Sequence, residues 1–171
     1  MSGSAFVDIF RALNGSGARY VVVGGVAVVL HGFLRFTADL DLVVALAPEN
    51  ALRTIDTLTT LGFTPRPPVQ AEQFADPAIR QTWVRDKGLT VFSLWSTRFP
   101  GTDVDLFVEE PIPFDELLDR AETIEISGLA VPVASITDLI RLKRAAGRPK
   151  DEEDIRALER IARLRDEVER S

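Results

Sequence analysis

Cysteine is absent from the sequence, and histidine occurs once, as His31. Without cysteine there is no disulfide framework and no thiolate metal site, as is typical of proteins from a reducing compartment. A single histidine also argues against a histidine-rich zinc site. Any metal chemistry is therefore expected to use carboxylates, which are the ligands that Mg²⁺ and Mn²⁺ prefer.

Long hydrophobic runs are missing as well. No apolar stretch reaches the roughly 18 residues that a membrane span needs. The N-terminal sequence MSGSAFVDIF lacks the basic region followed by an apolar region that marks an export signal. These absences predict a cytoplasmic protein with no membrane partner.

Negative charge exceeds positive charge, with 26 acidic and 20 basic residues and a formal net charge of −6. This balance disfavours non-specific binding along a polyanion, although it remains compatible with a local basic groove. The 171 residues, 46% of them hydrophobic, are enough for one domain with its own core.

Four β-branched or apolar runs predict strands: YVVV, DLDLVVAL, LTVFSLW and TDVDLFV. The segment TIEISGLAVPVA predicts a hairpin that turns at Ser127 and Gly128. Helical spacing marks several other segments, among them the one from Pro48 to the stop at Gly62. The segment from Ser135 to Gly147 has a serine N-cap and a glycine stop.

The mixture of strands and helices predicts an α/β (α+β) fold with a mixed sheet flanked by helices. We expect residues 1–134 to form the core, and residues 135–171 to form a helical C-terminal segment that packs on it. Residues 63–88 give the weakest signal and predict an irregular connection with one or two short helices.

Two carboxylates, Asp39 and Asp41, interrupt the apolar run DLDLVVAL. Side chains alternate along a strand, so both acids should point to the same face. Two acids this close repel each other and raise one pKa unless a cation lies between them. A solvated strand end would also explain the pair, and this motif alone does not decide between the two interpretations.

Two further features favour the metal. Gly24 and Gly25 end a strand and begin a helix, so free backbone N–H groups could face a phosphate, although a tight turn explains them equally well. TDVDLFV places a third acid, Asp105, on a strand that could lie beside the first pair. Three carboxylates at one sheet edge can hold two Mg²⁺ ions, one on nucleotide phosphates and one on an attacking hydroxyl.

In this order, the motifs VGG, DLDL and VDLF resemble the nucleotidyltransferase superfamily with the DNA polymerase beta-like fold. The string YVVVGGVAVVLHGFLRFTADLDLVV and the late segment SITDLIRLKRAAGRPKDEEDIRAL are similar to the small toxin-type, abortive-infection-like branch of that superfamily. One departure is that Gly25, not serine, follows Gly24, so no hydroxyl is available there for a phosphate.

The resemblance implies Mg²⁺-dependent transfer of a nucleoside monophosphate from an NTP, such as ATP, to a hydroxyl acceptor, with release of pyrophosphate. Mn²⁺ could replace Mg²⁺. The acceptor would be tRNA, a protein or a small molecule such as an aminoglycoside. A role as the toxin of a toxin–antitoxin pair, with a cognate antitoxin as partner, is also implied. Metal binding and catalysis would fall to Asp39, Asp41 and Asp105, and nucleotide binding to Gly24, Gly25 and Lys143.

Basic residues outside these motifs have two interpretations each. The segment from Leu139 to Lys150 contains five basic residues and no acid, which suits either a solvated helix end or a phosphate contact through Lys143. Arg35 and Thr37 could reach a phosphate from the loop before DLDL, or Thr37 could simply bond the backbone of a turn.

Two other classes of function remain open. A non-catalytic nucleotide-binding or antitoxin-like partner could keep the fold, although retention of all three acids speaks against it. A sugar transferase also uses two spaced aspartates to hold Mg²⁺, but the Gly-Gly turn and the third acid make that class less suitable.

Overall fold

A computed structural model describes residues 2–171, which form seven α-helices, one 3₁₀ helix and a seven-stranded sheet. The helices are α1 (Ser2–Ser16), α2 (Gly24–Leu30), α3 (Pro48–Leu61), α4 (Pro77–Lys87), α5 (Phe114–Arg120), α6 (Ile136–Ala146) and α7 (Asp151–Glu169). The strands are β1 (Tyr20–Val23), β2 (Leu40–Val44), β3 (Thr64–Pro65), β4 (Val91–Trp95), β5 (Val104–Phe107), β6 (Glu122–Ile126) and β7 (Leu129–Val133). The 3₁₀ helix is Ala71–Ala75.

The sheet is mixed, with the strand order β3-β4-β5-β2-β1-β7-β6. The central strand β2 is parallel to β5 and antiparallel to β1, and β1 is parallel to β7. The remaining pairs, β3 with β4, β4 with β5 and β6 with β7, are antiparallel. This arrangement confirms the predicted α/β (α+β) class with a mixed sheet flanked by helices.

Apolar side chains of the central strands form the core, and all four residues of β1 are buried. Helices α1 and α3 pack on each other, α1 against β7 and α3 against β2. Helix α2 packs on β1, β2 and α6, and α6 packs on α7. The C-terminal helix joins the core through Leu158, which is fully buried.

Several element ends follow the local signals in the sequence. Gly62 ends α3 in the left-handed conformation, with φ of +110°. Ser135 caps α6 by accepting the N–H of Asp138 at 3.1 Å. Ser127 and Gly128 form the hairpin turn, both with positive φ. Such residues act through their own backbone geometry, which is why sequence alone identifies them.

Other elements differ from the expectation. The turn-forming sequence NGSG at residues 14–17 predicts a stop at Asn14, but helix α1 continues to Ser16. The Asn14 side chain accepts a hydrogen bond from Tyr20 Oη and donates one to the carbonyl oxygen of Ala130, so it does not compete for the helix backbone. The weak segment contains α4 and the 3₁₀ helix, and also β3, which is too short to give a periodic signal. Strand β2 begins at Leu40, one residue after Asp39. Within residues 2–171, no helix combines the length and the apolar character needed to cross a membrane.

Candidate active site

Two carboxylates meet where β2 and β5 run side by side. The parallel register of these strands places Asp41 opposite Asp105. The antiparallel register of β1 places Val23, the residue before Gly24, opposite Asp41 on its other side. Three neighbouring strands therefore bring the glycine turn and two of the three predicted acids to one place in the sheet.

The acid pair carries an unfavourable electrostatic energy. Burial, and then the negative charges of Asp105 and Asp39, raise the pKa of Asp41 from 3.8 to about 7. Burial also raises the pKa of Asp105, although the hydroxyl of Ser93 opposes this shift by donating to Asp105 Oδ1 at 2.6 Å. The protein thus holds a half-buried pair of acids whose charges are not compensated.

Other acids of the protein are compensated. Within residues 5–171, every buried or half-buried acid other than Asp41 and Asp105 has an ion-pair partner. Asp103 is instructive because it lies two residues before Asp105, yet it is held by the guanidinium of Arg66, with one of its two contacts at 2.8 Å. The lack of a basic partner therefore distinguishes two of the three acids that the sequence motifs mark.

The glycine turn is fitted closely to this pair. Gly24 has φ of +68°, and a Cβ atom at this position would lie 2.0 Å from Asp41 Oδ2. A Cβ atom on Gly25 would lie 2.7 Å from Thr37 Oγ1 and 2.8 Å from Arg35 Nη2. Only glycine lets Asp41 approach on one side and the loop of Arg35 and Thr37 on the other.

Two clefts open beside the acid pair. A polar cleft of about 510 Å³ lies between the loop before β2 and the start of α7. A more apolar cleft of about 610 Å³ lies between β4, β5 and α6. Both clefts are lined by Gly24, Asp41, Asp105, Lys143 and Arg148, so they meet at the acids. A wider depression of about 720 Å³ between α1 and α3 is lined by none of these residues.

A chain of charges forms one wall of the polar cleft. Arg35 donates two hydrogen bonds to Asp154, both of 2.8 Å. Lys143, only 6% exposed, places its ammonium 2.9 Å from Asp154 and 3.4 Å from Asp151. Arg148 then donates to both oxygens of Asp151. Burial opposes ionisation of Asp151 and Asp154, but their basic partners outweigh this and lower the pKa of both carboxyl groups.

The predicted nucleotide-binding residues all line this polar cleft: Gly24, Gly25, Arg35, Thr37 and Lys143. The two basic residues among them, Arg35 and Lys143, both form ion pairs with Asp154. Arg148, Asp151 and Asp154 are close in the sequence and could pair across the last two helices, and the structure shows this ion pair for Arg148 and Asp151. Ser93, Asp151 and Asp154 were not assigned to the site from sequence, because no local pattern links them to it.

The third predicted acid, Asp39, lines the polar cleft but is exposed and precedes β2. No group of three His, Cys, Asp or Glu side chains is arranged to hold a metal within the described part of the chain. The donor set nevertheless fits Mg²⁺, because Asp41 and Asp105 supply adjacent hard oxygens with no basic partner. Mg²⁺ is commonly bound by one or two carboxylates and takes its other ligands from water and substrate phosphates.

The fold and the C-terminal sequence both have known counterparts. Nucleotidyl transferases of unknown function (DUF2204) form a family whose profile matches residues 112–170, a segment that includes Lys143, Asp151 and Asp154. ANT(2″)-Ia in complex with adenylyl-2″-tobramycin is 16% identical, with a TM-score of 0.58, and the match covers 95% of this chain and 94% of that one. The chain has the nucleotidyltransferase fold.

Two further structures share the nucleotidyltransferase fold. The solution structure of the antibiotic-resistance factor ANT(2″)-Ia is 15% identical with a TM-score of 0.60, over 99% of this chain and 93% of that one. An antigenic nucleotidyltransferase-like protein from Paracoccidioides brasiliensis is 20% identical with a TM-score of 0.59, over 95% of this chain and 75% of that one. No curated protein matches the sequence.

The predicted nucleotidyltransferase fold is confirmed, and the family profile that matches the C-terminal third agrees with it. The prediction of an enzyme of the nucleotidyltransferase class agrees with both findings. The toxin-type branch within the superfamily stays a prediction.

The close approach of Gly24 to Asp41 makes a testable difference between two glycines. Gly24→Ala should lower the free energy of unfolding by about 2 to 4 kcal/mol, from backbone strain at positive φ plus the collision with Asp41. Gly88 is the matched control, because it has a similar φ of +61° and no atom lies within 4 Å of the place that its Cβ would take. Gly88→Ala should lose only about 1 to 2 kcal/mol in the same urea titration. Equal losses would mean that the contact with Asp41 is unimportant.

The buried charge chain should depend on Asp154. Asp154→Asn leaves Arg35 without its carboxylate and Lys143 with Asp151 alone, so we expect a loss of about 3 kcal/mol of unfolding free energy. Glu153→Gln, an exposed neighbour that lines the same cleft, should change it by less than about 0.5 kcal/mol. Chemical denaturation measures both, and similar values for the two variants would contradict the charge chain.

The unpaired acids should make the folded protein pH-sensitive. Because the folded pKa of Asp41 is about 7 and its ordinary value is 3.8, the folded state binds more protons between these values. Stability of the parent should therefore fall as the pH rises through this range. In chelator at about pH 8, Asp41→Asn should be more stable than the parent by about 1 to 3 kcal/mol.

This gain should disappear as the pH falls towards about 4, where Asp41 is protonated in both states. The matched control is Asp103→Asn, because Asp103 is paired with Arg66 and should yield no gain at any pH in this range. Thermal unfolding at several pH values measures the effect. A stabilisation by Asp41→Asn that is independent of pH would contradict the assigned electrostatics.

Proposed function

We propose that the protein is a Mg²⁺-dependent nucleotidyltransferase that moves a nucleoside monophosphate from an NTP to a hydroxyl acceptor and releases pyrophosphate. The observation that carries this proposal is the uncompensated pair Asp41 and Asp105 at the junction of two clefts. An acid pair without a basic partner destabilises the fold, and a divalent cation would remove that repulsion. The nucleotidyltransferase fold supports the same assignment.

The polar cleft is suited to the triphosphate. Gly24 and Gly25 have no side chains to obstruct a phosphate, and Lys143, whose positive charge acts on Asp41, lines the same cleft. Its fixed position matters because a preorganised charge needs no reorganisation during the reaction. Arg148 and Lys150 add positive charge to the same wall.

Asp41 and Asp105, with Asp39 beside them, would hold the metal. A bound divalent cation would supply charge neutralisation on the phosphates and a lower pKa for the acceptor hydroxyl. Asp105 accepts the hydroxyl proton in this proposal, because it lies where the two clefts meet and Ser93 holds its carboxylate in place by donating to Oδ1. Its raised pKa makes it a better base than an ordinary aspartate.

ANT(2″)-Ia supports the type of reaction, because its complex contains an adenylylated aminoglycoside. The tRNA, protein and small-molecule acceptors predicted from the sequence all remain within this proposal, with ATP or another NTP as donor. A toxin role with a cognate antitoxin stays a prediction.

Turnover should depend on the unpaired acids and not on their paired neighbour. With labelled NTPs, Mg²⁺ and cell extract, we expect label transfer and pyrophosphate release that fall by about 10²-fold or more in Asp41→Asn and Asp105→Asn. Asp103→Asn, whose acid is bound to Arg66, should retain activity within about threefold. Replacing Mg²⁺ by chelator should abolish transfer.

The alternative is a non-catalytic nucleotide-binding or antitoxin-like partner. Calorimetric titration with a non-hydrolysable NTP and Mg²⁺ separates the two functions. Nucleotide binding without label transfer to any acceptor, and without any effect of Asp41→Asn on pyrophosphate release, would support the binding partner and contradict the enzyme.

A further inference from the structure

The two clefts on either side of the acid pair differ in chemistry. The polar cleft contains all five predicted nucleotide-binding residues, whereas the other cleft is lined mainly by apolar side chains of β4, β5 and α6. Val91, Phe107, Ile112, Leu139 and Leu142 form most of this apolar wall. The clefts share only the acid pair, Gly24, Lys143 and Arg148, so a reacting phosphate at the acids would face both.

Phosphoryl-type transfer constrains how the clefts can be used. The attacking and leaving oxygens lie roughly in line on opposite sides of the reacting phosphorus. If pyrophosphate leaves on the side of the polar cleft, the acceptor hydroxyl must approach from the opposite side. The apolar cleft is the other cleft that meets the acids, and its volume of about 610 Å³ is within the range of small-molecule sites.

Charges in the apolar cleft narrow the class of acceptor. Apart from Asp41 and Asp105, its lining contains no acid, but it contains Arg141, Lys143 and Arg148. Lys143 and Arg148 are held by Asp151. Arg141 lies 3.5 Å from Asp138, a carboxylate that already accepts two shorter hydrogen bonds from Arg120. Its guanidinium, with the side chain 58% exposed, is therefore the cation best able to bind a ligand.

We propose that the apolar cleft is the acceptor site and that it takes a small hydroxyl compound with an apolar body and one anionic group, bound by Arg141. This inference rests on the proposed nucleotidyltransferase function. A polycation such as the aminoglycoside bound to ANT(2″)-Ia would meet three basic side chains here, and the only acids in the lining are the pair Asp41 and Asp105 at the junction. The net charge of −6 also disfavours a polyanionic acceptor such as tRNA.

The proposed step involves only the acceptor hydroxyl, the NTP and Asp105. A bond forms between the acceptor oxygen and the α-phosphorus of the NTP, and the bond from that phosphorus to the bridging oxygen of pyrophosphate breaks. The hydroxyl proton passes to Asp105, and pyrophosphate leaves through the polar cleft.

Binding can be tested without turnover. The probe is para-hydroxymethylbenzoate, and para-aminomethylbenzyl alcohol is its cationic counterpart of similar shape. Amide shifts of the isotope-labelled full chain, in chelator and without nucleotide, should move at Leu142, Ala145 and Ala146 with the anionic probe. Affinity should fall about tenfold in Arg141→Glu, since one ion pair becomes a repulsion.

The matched control is Arg144→Glu. Arg144 lies on the same helix and pairs with Glu159, but it lines neither cleft. The variant Arg144→Glu should therefore leave the affinity for the anionic probe unchanged. The cationic probe should bind the parent more weakly than the anionic probe and should improve in Arg141→Glu.

A non-hydrolysable NTP with Mg²⁺ tests which substrate the cleft holds. Simultaneous binding of probe and nucleotide supports an acceptor site, whereas mutual exclusion would assign the cleft to the nucleoside and overturn the inference. No shifts at the cleft, a preference for the cationic probe, or displacement of the probe by tRNA would also overturn it.

Turnover separates this inference from the proposed function. With ATP and Mg²⁺, the anionic probe should increase pyrophosphate release above the level seen with water as the only acceptor. It should also form a nucleotidyl ester that mass spectrometry detects. Arg141→Glu should raise the KM for the probe and leave the KM for ATP unchanged. If the probe binds but no combination of NTP and acceptor yields pyrophosphate, the proposed function is contradicted and the ligand site is retained. If other acceptors support pyrophosphate release but the probe does not bind, only the assignment of the acceptor site is contradicted.

Discussion

The repulsion between Asp41 and Asp105 is the constraint around which this protein is arranged. The parallel register of β2 and β5 makes the two acids neighbours, and burial prevents water from fully screening their charges. The surroundings hold them in place by neutral contacts. Ser93 donates to Asp105, and the missing side chain of Gly24 leaves the space that Asp41 occupies. Such an arrangement costs stability, as functional sites commonly do, and the cation of the proposed function would offset that cost.

The charge chain on α6 and α7 explains why the nearby basic residues form no ion pair with Asp41 or Asp105 in the described part of the chain. Lys143 lies close enough to lower the pKa of Asp41 slightly, yet its ammonium is fixed on Asp151 and Asp154. Arg35 is likewise fixed on Asp154. These cations are thus held beside the acid pair without forming ion pairs with it, which leaves both carboxylates free for the metal of the proposed function.

Local signals in the sequence predicted the elements well. Gly62, Ser135 and Gly147 cap or end the helices next to them. The segments DLDL and VDLF show the alternation of acidic and apolar residues directly in the sequence. The sequence could suggest that Asp105 lies near Asp41 but could not determine which strands pair. Nor could it show that Arg35 binds Asp154, 119 residues away, because such a contact depends on the whole tertiary fold. Strand β3 is defined only by its pairing with β4.

Helix α6 gives the two clefts their different characters. Leu139, Leu142 and Ala146 are spaced three or four residues apart and therefore line one side of the helix, which faces the apolar cleft. Lys143 lines both clefts and extends to the aspartates of α7. The left-handed Gly147 then ends the helix, so that Arg148 also reaches the junction. Helix α6 thereby lies between a charged cleft and an apolar cleft, and both clefts contact the same pair of acids. This arrangement suits the proposed in-line transfer between two unlike substrates.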